Sequence, residues 1–328
     1  MARRRSVDEK LAELEAAVDA AAAGELAGLL DDALGERNYR IVALAAHYAG
    51  DRLVYDCIPS LLRAYAGFVD NGVKRDPNCL AKKAAVRALH ALDCDDIDFY
   101  LEALSYRQLE PVWGGTVDTA TDIRSSAAMG LVASGYPRAL VAVVDLLTDP
   151  EAPVRAGATR AIACGNPREA ELLLRAKVLT GDEEPFVVGE CFTGLLAVEP
   201  EDSVSFVARF LQHEDDALYE AAALALGESR LPAAIDQIVA AFEDVFVPAE
   251  RRRILVRAAA LHRSNEAFDW LLGLAASAAA ALATEVVDVL SIYSHNEALR
   301  DRLSKVLVER EDEALQARFA QAWGSPSA

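Results

Sequence analysis

Asp93-Cys-Asp-Asp-Ile-Asp98 is the stretch whose residue types come nearest to a ligand set. A calcium loop needs glycine at its sixth position and glutamate at its twelfth, and Asp98 and Leu104 stand there instead. The run reads as acidic residues opening a helix at Ile97, where the helix dipole favours them. Asp182-Glu-Glu and Glu214-Asp-Asp read the same way. There is no glycine-rich phosphate loop with a following lysine, no His-Glu-x-x-His and no Gly-x-Ser-x-Gly. His47, His90 and His262 fall near the inner faces of helices, while His213 and His295 have no histidine or cysteine beside them in sequence. The five cysteines (Cys57, Cys79, Cys94, Cys164, Cys191) are far apart and form no Cys-x-x-Cys pair, so neither a disulfide framework nor a zinc site is encoded. No catalytic residue, metal or cofactor is expected from these patterns.

Two longer stretches carry a different chemistry, that of binding. Gly67 to Asn78 holds Lys74 and Arg75, with Lys82 and Lys83 just beyond it. Tyr106 to Thr121 holds Arg107, Glu110, Trp113 and Asp118, with Arg124 following. Tryptophan and arginine are enriched among residues that dominate binding energy, and Gly114-Gly115 permits a tight turn that would present Trp113. These nine residues are the candidate partner-binding set. Trp113 has two readings: an outward anchor, or an inward plug between repeats.

The elements that must position them are helices. From Asp149 to Thr180 the chain parses as two helices joined at Cys164-Gly165-Asn166-Pro167, with Val154, Ala158, Ala161 and Ile162 on one face. Gly165 ends the first and Pro167 opens the second. Aligning on Val154 reveals the repeat: Tyr39, Ala81, Ile123, Val154, Val187, Leu218, Ile254 and Val286, at intervals of 42, 42, 31, 33, 31, 36 and 32 residues. Small or apolar residues follow four and seven places later. Eight such units predict an all-α, right-handed α-solenoid. Residues 1–35 read as capping helices, 36–310 as the repeats, and 311–328 as a last helix and flexible tail. Both intervals of 42 hold about ten extra residues, at 67–78 and 106–121. Equivalent loops of neighbouring repeats lie side by side, so these two should meet.

Asp149-Pro-x-x-x-Val-Arg-x-x-Ala-x-x-Ala161, echoed by Asp122-Ile-Arg-Ser-Ser-Ala-Ala-Met-Gly130 and by Leu146-Leu-Thr-Asp-Pro150, resembles HEAT repeats, most of all the short bacterial kind found in bilin-lyase-like proteins. The resemblance covers roughly residues 36–310 and implies an armadillo-like helical stack. It implies a protein-binding scaffold, with two alternatives: an alkylpurine DNA glycosylase, or a bilin-lyase-like protein or chaperone for a tetrapyrrole protein. For the glycosylase, Trp113, Asp118 and Arg124 would be cast as cleft residues, and Lys74, Arg75, Lys82 and Lys83 as phosphate contacts. Leu255 and Val287 depart from the pattern where the family prefers arginine. That column begins Arg40, Lys82, Arg124, Arg155 and continues Val188, Tyr219, Leu255, Val287. It could be a basic ladder for an acidic partner, or a set of cations paired with carboxylates of adjoining repeats.

The net charge of −19 opposes general nucleic-acid binding, which needs a basic footprint. Residues 1–124 carry 15 Lys+Arg against 21 Asp+Glu, and residues 125–328 carry 18 against 31, so the first part is the less acidic. The uncharged run Leu271 to Thr284 is shorter than the roughly 20 residues that span a bilayer. The acidic residues from Asp8 onward interrupt any leader peptide. A cytoplasmic protein with a protein partner, non-catalytic, is the expectation; the oligomeric state is not encoded.

Overall fold

A computed structural model describes residues 6–324, so the first five residues and the tail beyond Gly324 lie outside the described part. The chain divides into two compact units, one running to Ala176 and one from Lys177.

The first unit opens on α1 (Val7–Ala20), whose Ser6 and Glu9 form a reciprocal capping box, and α2 (Ala23–Leu34). Then come α3 (Tyr39–Asp51), α4 (Ile58–Val69), the single turn α5 (Gly72–Arg75), α6 (Leu80–Ala91) and α7 (Ile97–Ser105). A hairpin, β1 (Leu109–Val112) with β2 (Gly115–Asp118), precedes α8 (Thr121–Ala133), α9 (Ala139–Val143), α10 (Ala152–Ala163) and α11 (Pro167–Thr180), whose last turn passes the unit boundary. The second unit holds α12 (Pro185–Val198), α13 (Pro200–Ala208), α14 (Asp216–Ser229), α15 (Pro232–Glu243), α16 (Ala249–His262), α17 (Asn265–Ser277), α18 (Ala280–Leu290), α19 (Glu297–Glu309) and α20 (Glu313–Trp323). Prolines in the first turns of α10, α12, α13 and α15 set where those helices begin.

The expected all-α solenoid architecture is what forms. All eight aligned positions fall on the first helix of a pair, α3, α6, α8, α10, α12, α14, α16 and α18. In the first unit α3 packs on α6, α6 on α8 and α8 on α10; in the second α12 packs on α14, α14 on α16 and α16 on α18. The core is aliphatic and rich in alanine, with Ala46, Ala85, Ala127, Ala158 and Ala258 fully buried. At Gly130 the approach is so close that a Cβ would collide with the Tyr100 ring.

Three expectations need correction. The stretch 106–121, expected only as a loop insertion, holds a short antiparallel sheet. Leu218 and Ile254 are only half-buried, and the following residues, Tyr219 and Leu255, face inward with no exposure. His47 is exposed, while His262 is buried with its ring nitrogen 3.0 Å from the Leu231 carbonyl.

Candidate functional site

The hairpin follows from local chemistry. Thr116 and Val117 are β-formers, and Gly114 adopts φ +91°, a conformation glycine reaches without a Cβ penalty. Register pairs Val112 with Gly115, Pro111 with Thr116, Glu110 with Val117 and Leu109 with Asp118, leaving Trp113-Gly114 as a two-residue turn. The Thr119 N–H donates to the Gln108 carbonyl at 2.9 Å, extending the ladder by one step. Pairs in such a ladder alternate, so Leu109 and Pro111 turn their backbones to the outer edge of β1. Pro111 has no N–H to offer there, which blunts that edge against strand addition.

Buried ionic groups fix the foot of the hairpin. Asp118 Oδ1 accepts the N–H groups of Gln108 at 3.2 Å and Ala120 at 3.0 Å, and Oδ2 accepts Arg124 Nη1 at 2.8 Å. Arg124 also donates through Nη1 to the Tyr106 carbonyl at 2.9 Å and through Nη2 to Asp149 Oδ1 at 3.3 Å. Its Nε lies 3.2 Å from Asp149 Oδ2, close enough for an ion pair though not aligned as a hydrogen bond. Arg107 joins both carboxylates from the rim, at 3.5 Å to Asp118 and 2.9 Å to Asp149. Two guanidinium groups thus face two carboxylates. Burial opposes ionisation of Asp118, but the two backbone N–H groups and Arg124 outweigh it and hold its carboxyl below the usual range.

The second long loop is tied to the same foot. Asp76 accepts the N–H groups of Ala81 at 2.9 Å and Lys82 at 3.1 Å and the Lys82 ammonium at 2.9 Å, all fully buried. Lys82 also donates to the Phe68 carbonyl at 3.2 Å and lies 5.6 Å from the Tyr106 ring centroid. Gln108 Nε2 donates to the Asp76 carbonyl at 3.0 Å and to Glu110 at 2.8 Å. Glu110 further accepts the Asn78 N–H at 2.6 Å and the Thr119 hydroxyl at 2.7 Å. Desolvation works against its charge, but these donors and Lys82 hold the Glu110 carboxyl below its ordinary value. Asn78 and Cys79 are both left-handed, at φ 58° and 55°. Such strain persists only where surroundings impose it, and here the hairpin supplies the partners: Glu110 for Asn78, and Thr119 Oγ1, 3.4 Å from Cys79 Sγ.

At the other end of the hairpin Trp113 is 103% exposed, so it does not plug the repeats. Val112 is exposed beside it, and Val117 and Leu109 are exposed progressively nearer the foot. Lys74 and Arg75 are exposed at the foot, Arg75 lying 5.5 Å from the centroid of the Phe68 ring. Of the remaining candidates, Lys83 is half-buried and 3.6 Å from Asp122, while Lys82, Asp118 and Arg124 lie inside. Those three were read from sequence as partner contacts. The repeat position of Lys82 and Arg124 faces inward, and Asp118 pairs with Arg124, so these charges are consumed within the fold. The trio cast for base excision does not converge either: Asp118 and Arg124 bind each other below the hairpin, and Trp113 stands at its tip.

The same geometry explains the cation column. Arg40 is exposed and pairs with Asp8 at 2.9 Å, and Arg155 donates to the carbonyls of Asp149 and Pro150. Lys82 and Arg124 are fully buried, as are Tyr219, Leu255 and Val287, with Val188 almost so. The column is thus an interior one over most of its length. A signal for it was present in the sequence: an aspartate six residues ahead of the cation in Asp76/Lys82, Asp118/Arg124 and Asp149/Arg155.

An open depression of about 440 Å³ adjoins this region, lined by Arg37, Arg63 and Arg75 and by Asp31, Asp32 and Glu36. Its charges balance, so it selects no ion by sign. Among the described residues no group of three His, Cys, Asp or Glu side chains is placed to hold a metal. Among the same residues no helix is long and apolar enough to cross a membrane.

No protein-family model and no curated protein matches the chain. Among solved structures, an engineered protein is 18% identical over 97% of this chain and 92% of its own, with a TM-score of 0.37. The complex of CpcE and CpcF of phycocyanin lyase from Nostoc sp. is 17% identical, covering 89% and 94%, with a TM-score of 0.35. A homology model of the full-length AP-3 complex is 12% identical, covering 96% and 71%, with a TM-score of 0.42. At those values the assignment to helical-repeat proteins rests on the packing of the helix pairs described above.

Proposed function

We propose that the chain is a non-catalytic docking module, a scaffold or adaptor that holds a partner protein through the hairpin at 109–118. The observation that carries this reading is the full exposure of Trp113 at the tip of a hairpin whose foot is locked by buried ion pairs. A tryptophan side chain buries about 150–250 Å² in a contact, worth roughly 4–6 kcal/mol at about 25 cal/mol per Å² before the costs of association. The fixed foot lowers those costs, because little of the hairpin has to be ordered on binding. Blunting of the β1 edge by Pro111 favours recognition through side chains over strand addition.

A photo-crosslinking amino acid placed at 113 in the source cell tests the reading directly. A specific adduct, identified by mass spectrometry and missing when the same probe sits at exposed Val141, is expected. Identical adducts from both positions would remove the hairpin from the account.

A further inference from the structure

The hairpin's surroundings carry information about the partner's chemistry. The chain has a net charge of −19, yet cations stand exposed at the hairpin's foot, although Arg75 also lines the charge-balanced depression with Asp31, Asp32 and Glu36. Lys74 and Arg75 are exposed and have no carboxylate partner among the described residues, and Arg107 is half-exposed at the rim of its ion pairs. Two carboxylates of the same stretches are spent inside the fold, Asp76 on Lys82 and Asp118 on Arg124, and half-buried Glu110 is held by Asn78, Gln108 and Thr119. Only Asp70 among the acidic residues of 67–78 remains exposed. The apolar groups further out are Val112, Trp113 and Val117. Foot and tip are separated by the strand from Glu110 to Trp113, roughly 10 Å at the usual rise per residue.

We infer that the hairpin docks into a protein that presents an apolar pocket for Trp113 with carboxylates on the pocket's rim, facing Lys74 and Arg75. This deepens the docking reading and rests on it. A protruding element requires a concave partner, and the apolar tip with cations set back from it requires the acids at the mouth and not the floor. Charge at a rim of this kind acts chiefly on the association rate and on selectivity, while the buried anchor sets the lifetime of the complex. An anionic lipid surface would also attract an exposed tryptophan flanked by cations, but the remainder of this acidic chain would be repelled by it.

The probe is a phage-displayed library of small folded domains with randomised loops, selected on the full chain and counter-selected on W113A, so that only binders needing the tip survive. The expected survivors are enriched in Asp and Glu, although the target as a whole is acidic. They lose about 30-fold or more in affinity on W113A and about tenfold on K74E/R75E, mostly in association rate, with weakening as salt rises. Both variants should melt within a few degrees of the parent. Survivors that need Trp113 but show no acidic enrichment and no response to K74E/R75E would overturn the inference and leave the docking reading standing. An absence of any Trp113-dependent binder would overturn both. Trp113-dependent binding to vesicles of phosphatidylcholine and phosphatidylserine would replace the protein pocket by a lipid surface and overturn the inference.

Discussion

Arg124 and Asp118 meet at 2.8 Å with both side chains shielded from solvent, directly beneath a hairpin whose tip is fully exposed. The pair connects the start of α8 to the end of β2, so the most rigid and the most exposed parts of this region are separated by a few residues of strand.

Removing one member of a buried pair should cost more than removing a surface contact. R124A leaves Asp118 and Asp149 with only Arg107 at the rim, and breaking buried pairs typically costs about 3–5 kcal/mol. R40A removes an exposed pair with Asp8, worth about 0–1 kcal/mol. Denaturant melts of the two variants should differ accordingly, and equal losses would contradict the burial.

The Asp76–Lys82 pair should respond asymmetrically. In K82M the Asp76 carboxylate still accepts two backbone N–H groups, from Ala81 and Lys82. In D76A the buried ammonium keeps only the Phe68 carbonyl and the Tyr106 ring. D76A is therefore the more destabilising, by about 1–3 kcal/mol for the extra unsatisfied group, as read from the shift in urea midpoint.

Acid should loosen the hairpin's foot. Glu110 and Asp118 are held below their ordinary values of 4.5 and 3.8. Depressed carboxyls stabilise the fold above the unfolded-state pKa, and the contribution is lost as pH falls through the folded one. It is therefore intact above about pH 4.5 and decays below about 3.8, toward the depressed values. With the intrinsic pH dependence of amide exchange divided out, protection at 108–120 should fall over that range, and E110Q should flatten the dependence. A foot whose protection is constant between pH 5 and about 2 would refute the sign.

Two glycines separate space from conformation. G130A drives a Cβ into the Tyr100 ring, and overpacking of this kind costs about 1–3 kcal/mol. G114A meets no atom within 4 Å but must hold φ +91°. Its cost of about 1 kcal/mol should fall on the hairpin alone, visible as faster exchange at 110–117 with an almost unchanged melting temperature.

Much of the architecture was legible because solenoid helices repeat their small and apolar positions at regular spacing, and Val154, Ala158 and Ala161 carry that spacing most clearly. The hairpin was not, because Pro111 weakens the strand pattern and each strand is four residues long. The interior direction of the cation column was missed for a different reason. Charge was read as exposure, although Val188, Tyr219, Leu255 and Val287 at the same position already marked it as apolar ground.

The column also limits how these repeats can be rearranged. Arg124 closes on Asp118 ahead of its own helix and on Asp149 at the start of the next pair, so this repeat is keyed to its successor. A duplication or transplant that set Arg124 ahead of a repeat lacking that aspartate would strand a guanidinium in the interior. At Leu255 and Val287 the column is apolar, and the ionic link there lies elsewhere: Arg251 of α16 pairs with Asp216 of α14. Gene-level shuffling, natural or engineered, should therefore be punished most where Arg124 loses Asp149, whose pair is buried, and less where Arg251 loses the exposed Asp216.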